Sequence, residues 1–529
     1  MAKKISGLML TGLVLNLVFL GISRAQISKP EGSFTLTMQD DLPILDPQNQ
    51  AAHAVRSILG YIYEPLVTSN LNDMSTQHVL AESWELIDPR TWKINLRKGV
   101  KFHNGQFLTS ADVKFSIERV MGVIDTKFPG YHKPIIKQLV DTVETPNDHT
   151  IIVHTKRPDA SFLYFIQSIF IISKAYFETF GDVELAKRPL GTGPFKFKER
   201  KIAEFLSLEA NENYWNNNPA SGAQGPSRIK TATFRIIPQE STRISAFKAG
   251  EVDAINANGL GDDNAKLLEK DARFQVYYGQ SNQVFFLIMN WKEEKNKATG
   301  QPNPFYDVRV RRAINYAIDV DAIIKNYLTG REHRTTMVGT GAIGWNPNVP
   351  WYEFNPNKAK ELLAEAGYSK GFKTTFSLAG VNPWQVTVKQ YLKDVGIDAE
   401  FNIKSSAVLT SYIGGKKLDG FMALSATEGS DTVGRMAIGY FTSDGPVALH
   451  AKDDRVDELA VKQSQEFNVE RRAKIIHEMI AIIWKDAWYV PLWEPVNIYA
   501  INNDWKYEYP KFFPGVQLTH LSKKRKTDK

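Results

Sequence analysis

At 529 residues the chain is too long for one ordinary core and implies two or three lobes, and 43% hydrophobic with 23% charged residues excludes a disordered chain. The formal charge of +7 does not mark a nucleic-acid binder, because +3 lies in the first 25 residues and +4 in the last eight, which leaves a neutral body. With no cysteine, thiol catalysis, disulfides, cysteine-ligated metals and a lipid-modified N-terminal cysteine are all excluded.

In chain order, the basic "MAKK" is followed by the apolar Ile5 to Ile22 and by small Ser23 and Ala25 at the positions that precede a cleavage site. Residues 1–25 are therefore expected to be a secretory signal peptide, with the mature chain starting near Gln26 in a periplasm, free of a lipid tether. An uncleaved anchor is the rival, but Asn16 interrupts the apolar run. Phe34, Leu36 and Met38 then alternate as in a strand, and Val55, Ile58, Leu59 and Ile62 recur as on an amphipathic helix. Trp92, Ile94 and Leu96 alternate again, Asn104-Gly105 marks a turn, and Thr109 or Ser110 with Asp112 opens a helix. "TIIVHTK" is a further strand.

The polar stretch Asn216 to Ser227 reads as a loop, after which Ala232, Phe234 and Ile236 alternate. "VFFLIMN" suits a strand covered on both faces. Over "DVRVRRAINYAIDVDAII" one helical stripe collects Val310, Ala313, Ile314, Ala317 and Ile318, leaving Arg309, Arg312, Asn315 and Asp319 outward as a solvated face. A helix ends at Gly367, strands flank the helix "WQVTVKQYLKDVG", and "RRAKIIHEMIAIIWKDA" is a mostly buried helix. "WYVPLWEPVNIYAIN" is an extended segment broken by Pro491 and Pro495.

The stretch "PLGTGPFKF" from Pro189 to Phe197 looks like a phosphate loop and is not one. It lacks the glycine-lysine pair of one nucleotide motif and has Lys196 at the third glycine of the other, while Pro194 removes a backbone donor. It is expected to be a sharp joint, with Gly191 and Gly193 free to take positive φ. His477-Glu478 begins like a zinc-protease motif, but Ala481 stands where the second histidine belongs, and no serine nucleophile elbow occurs. The histidines show no pair at metal-ligand spacing, and His103 has no second donor beside it.

Several segments taken in order, "LDPQNQAAHAVRSILGYIYEPLV", "LAESWELIDPRTWKINLRKGVKFHNGQFLTSADVKFSIERV", "PLGTGPFKF" with "LEANENYW", "FYDVRVRRAINYAIDVDAII" and "NPNKAKELLAEAGYSKGF", resemble the family 5 extracellular solute-binding proteins. These are receptors of the oligopeptide, dipeptide and nickel type that serve ABC importers. The resemblance implies an α/β fold of two lobes, a type II periplasmic-binding-protein fold with an extra subdomain inserted in the first lobe and hinge strands between. Its expected limits are 26–64, 187–283 and 488–520 for the first lobe, 65–186 for the insertion, 284–487 for the second lobe and 521–529 for a basic tail. It also implies lobe closure on a peptide or related small polar solute, delivery to a membrane permease, action as a monomer, no cofactor and no catalysis. A secreted hydrolase, a periplasmic sensor or chaperone, and a receptor for an opine or sugar acid are the alternatives.

In peptide-binding relatives an aspartate in a Trp…Asp-Pro-Asp stretch of the second lobe pairs with the ligand's α-ammonium, and the matching residue here is Asp431. The stretch departs from the pattern, with the tryptophan replaced around Ser425 and Thr432 in place of proline. Glu428, Asp431 and Arg435 present both charge signs, which suits a zwitterion or an opine-like acid. Trp384 and Trp493 are expected as apolar walls, and Asn282 and Gln283 as amide donors and acceptors from the hinge.

Overall fold

The computed structural model describes residues 29–42, 44–49, 53–128, 130, 132–217, 225–256, 259–281, 283–296, 300–427, 434, 436–445, 447–512 and 515–524. Its largest sheet has seven strands, in the order Phe274–Gln280, Val496–Asn502, Ala254–Ile255, Glu31–Met38, Ile229–Ile236, Phe205–Ala210 and Phe195–Lys201. Alternation within Glu31–Met38 sends Phe34 and Leu36 to one face, where they join Phe234, Leu208 and Tyr499 in a core. The other face buries Ile255, Phe274, Ile498 and Ala500 under the helices Glu240–Lys248 and Asp262–Leu268.

A four-stranded antiparallel sheet, Ala81–Asp88, Thr91–Leu96, Thr150–Thr155 and Val140–Asn147, carries its own core around Trp92, Ile94, Ile151 and Val153. The helix Ser110–Met121 packs on it, with Thr109 as N-cap in a capping box with Asp112 and Gly122 as the left-handed C-cap. Ile171 is the last fully buried residue of this core, whereas Ile172 and Leu185 belong to the core of the seven-stranded sheet. The insertion expected to run to 186 therefore gives way near 171, because the helix Lys174–Lys187 turns Leu185 into the neighbouring core.

The third large sheet has the order Ile397–Ile403, Phe372–Leu378, Phe421–Thr427, Gln283–Met289 and Tyr489–Pro491. Gln283–Met289 lies inside it, which is why Val284, Phe286, Leu287 and Ile288 are all fully buried. Gln283 is already paired here, and Tyr489–Pro491 hydrogen-bonds to the same strand, so both belong to the second lobe and not, as their expected limits had it, to the first. Pro491 is tolerated because it sits on the edge strand, where its missing N–H breaks no ladder.

The expected long helix over 307–324 is two helices, Val308–Ala317 and Val320–Tyr327. Asp319 is the N-cap of the second, accepting from Ala322 N, and so is not an outward residue of a continuous helix. Asn315 is buried as well and donates to the carbonyls of Arg311 and Tyr489. Arg311 and Arg312 donate to the carbonyls of Asp486 and Lys485 at the end of the helix Val469–Lys485, where cations complement the helix dipole. No helix among the described residues is long and apolar enough to cross a membrane.

Candidate functional site

The seven-stranded and five-stranded sheets are joined by two chain crossings that lie side by side. One passes from Gln280 to Gln283, the other from Glu494 to Val496, and Ser281 N donates to Pro495 O at 3.2 Å between them. Two adjacent connections of this kind make a hinge that bends while keeping both sheets intact.

Away from the hinge the lobes also touch. Ala160 N donates to Ser464 O at 2.7 Å, and Arg472 donates to Ser161 Oγ at 2.8 Å and to Gln463 Oε1. Phe467 leans on Trp92 with ring centroids 6.1 Å apart. On the other side Arg331 pairs with Glu269 at 3.3 Å and covers the Tyr278 ring. Beside it, burial and the facing Glu332 carboxylate push the Asp262 carboxyl up to about 6.

Of the residues expected at the ligand, Trp384, Trp493 and Gln283 are described, and Asn282, Glu428, Asp431 and Arg435 lie outside the described residues. Trp384 and Trp493 meet edge to face at 5.0 Å, and Phe285 stacks on Trp493 at 6.1 Å. At 8% and 3% exposure, the two tryptophans spend most of their surface on the second-lobe core rather than on a cleft wall. Gln283 is half-buried at the start of its strand, registered opposite Thr427, where the described part of Phe421–Thr427 ends.

Sequence reasoning missed Glu494, next to Trp493. The strand Trp493–Glu494 pairs with His333–Arg334 and leaves Glu494 only 1% exposed. Its Oε2 accepts from Thr340 N at 3.2 Å, while its Oε1 is buried with no hydrogen-bond partner among the described residues. Burial raises its carboxyl above the ordinary glutamate range, partly countered by the Thr340 hydrogen bonds and by His333 and Lys511. Gln280, registered opposite Val496 two residues further on, likewise has a buried Oε1 without a partner. The signal in the sequence is one acidic residue set in the apolar run "YVPLWEPVNIYA".

A second buried glutamate marks the root of the insertion. Glu64 accepts from Thr192 Oγ1 at 2.7 Å, Tyr214 OH at 2.6 Å and Trp215 Nε1 at 2.7 Å. Burial, opposed by these donors and by Arg97, moves its carboxyl up to about 7. Thr192 stands in "PLGTGPFKF", which is held further by His103: Nε2–H donates to Gly193 O at 3.0 Å, and Nδ1 accepts from Gly191 N at 3.4 Å. Burial drives the His103 imidazole down to about 4. Gly191 and Gly193 do not take positive φ. They are glycine because a Cβ at either would run into the backbone carbonyls of Ile62 and Tyr61.

Among the described residues no group of three His, Asp or Glu side chains is placed to hold a metal. Residues 76–445 match the model of the bacterial extracellular solute-binding proteins, family 5. Heme-binding protein A of Haemophilus influenzae is 31% identical over 343 residues, 60% of this chain and 58% of that protein, so less than two thirds of that relative is spanned. The glutathione-binding protein GsiB of Pectobacterium atrosepticum is 27% identical over 76% of this chain and 75% of its own. The periplasmic binding protein DppA of Helicobacter pylori, solved with the peptide STSA, superposes with a TM-score of 0.79 at 26% identity, covering 93% of this chain and 98% of that one.

Proposed function

The chain belongs to the family 5 bacterial extracellular solute-binding proteins, and on that premise we propose that it is the periplasmic receptor of an ABC importer for a peptide or related small polar solute. The observation that carries this reading is the pair of adjacent crossings, with the two lobes in contact on either side of them. Such a body opens and closes about one axis. A ligand that touches both lobes shifts the population toward the closed form by the difference in its affinity for the two states. Closure removes water from the ligand, so hydrogen bonds and charge pairs strengthen, and the closed outline is what a membrane permease distinguishes.

The family and its solved neighbours are binding proteins, and this chain supplies ligand contacts rather than a reaction. Asp431, Glu428 and Arg435 offer both charge signs to a zwitterionic solute, Gln283 and Asn282 offer amides, and Trp384 and Trp493 stiffen the second lobe. The receptor is secreted by its N-terminal segment and works as a monomer.

Mass spectrometry of small molecules released from the purified protein tests the reading. One class of peptide-like solute, bound saturably and recovered unchanged after prolonged incubation, is the expected result. Time-dependent conversion of that solute would reject a receptor in favour of a hydrolase.

A further inference from the structure

We propose that Glu494 is the anchor for a cationic nitrogen of the ligand, an amine carried by a peptide-like solute, held where the second crossing enters the first lobe. The proposal rests on the receptor reading above and adds to it the charge and the position of one end of the ligand.

Glu494 is 1% exposed, and its Oε1 has no donor among the described residues, although Oε2 is held by Thr340. Leaving such an oxygen without a donor costs more than an ordinary hydrogen bond contributes, so a fold that keeps it has another use for it. Gln280, registered opposite Val496, also has a buried Oε1 with no partner among the described residues. Two acceptors without donors, one of them an acid, call for a group that only donates and carries positive charge, which describes an ammonium.

The position suits that task. Glu494 lies on the last paired residues of the second lobe before the chain crosses, bonded to a loop of that lobe through Thr340. Gln280 ends a strand of the first lobe and bridges to Phe512. A cation held by Glu494 sits one residue from the crossing Pro495, whose carbonyl accepts from Ser281 N of the other crossing, so its binding is coupled to closure. Lys511 and His333 contribute positive potential at Glu494 without a hydrogen bond to it, so they temper the carboxylate and leave Oε1 available. The alternative is that Glu494 is a structural carboxyl, held neutral inside the joint and indifferent to ligand.

Trialanine and N-acetyl-trialanine, titrated calorimetrically into the wild-type protein and into Glu494→Gln, separate these cases. The glutamine keeps the shape and the contact with Thr340, and an unchanged melting temperature confirms that the variant folds. The expected result is that acetylation weakens binding about 100-fold in the wild type and about tenfold in Glu494→Gln, the remaining penalty being the share assigned to Asp431 above and the difference the size expected of a buried charge pair that has lost one member. Gln280→Leu should weaken trialanine and leave N-acetyl-trialanine nearly unchanged. An acetylation penalty of equal size in wild type and Glu494→Gln overturns the anchor and leaves the receptor reading standing. Failure of both peptides to bind the wild type overturns the anchor together with a receptor for peptides.

Discussion

Glu64 and Glu494 occupy the two kinds of joint in this chain, one at the root of the insertion and one at the crossing between lobes. Both are buried acids whose carboxyls burial pushes upward. Around Glu64 three side-chain donors converge from two distant segments, and each oxygen is used. Around Glu494 one donor reaches one oxygen, and the other oxygen has no donor among the described residues. Burial alone therefore says little about what an acid does. The number of donors built around it is what separates an acid that holds the fold from the one proposed to take a ligand.

The comparison breaks most readily at Glu64. Glu64→Ala strands the buried donors of Thr192, Tyr214 and Trp215 at once, and should cost about 3–5 kcal/mol in denaturant unfolding while the folded fraction still binds ligand. A loss below about 1 kcal/mol would mean that the network does not hold the joint. The pH dependence is the next largest effect. Because the Glu64 carboxyl in the fold is raised to about 7 from 4.5, the fold keeps a proton that the unfolded chain has released. The fold is least penalised below 4.5, loses stability as pH rises from there to about 7, and carries the full penalty of about 3 kcal/mol above it. The hydroxyls of Thr192 and Tyr214 can each reverse from donor to acceptor, so the site accommodates the proton. Glu64→Gln should remove this slope, seen as unfolding curves at pH 4.5 and pH 7.5 whose separation collapses relative to the wild type.

A smaller effect sharpens the contrast between holding the fold and holding the closed state. Arg331→Ala removes a partly exposed ion pair between the lobes, and should weaken ligand binding about two- to fivefold at low salt and not at all at high salt. Its melting temperature should match the wild type. A loss of affinity that persists at high salt would assign Arg331 to the ligand instead.

Much of the fold is legible in the sequence because it rests on local periodicity. Phe34 and Leu36 alternate into a core as expected, and the apolar run from Val284 is a strand covered on both faces. The misplaced features depend on contacts between distant segments. Asp319 caps a helix inside an unbroken apolar stripe, and the stripe continues through Ile318 with no local sign of the break. Gly191 and Gly193 are required by the approach of residues 61 and 62, more than a hundred positions earlier, and not by their own φ. Tyr489–Pro491 joins the second lobe because its partner strand begins at Gln283, a pairing that no local pattern announces. The candidate site was less legible than the fold. Aromatic side chains near a crossing suggest ligand walls, but Trp384 and Trp493 are mostly core, whereas Glu494 beside Trp493 gives no periodic signal because one acid in an extended segment has no period.

The most direct test melts Glu64→Gln and Glu494→Gln with and without saturating trialanine. Glu64→Gln should shift the melting temperature of the free protein and keep the rise on adding peptide, whereas Glu494→Gln should leave the free protein unchanged and lose most of that rise. Equal peptide-induced rises in the two variants would contradict the distinction drawn between the two acids.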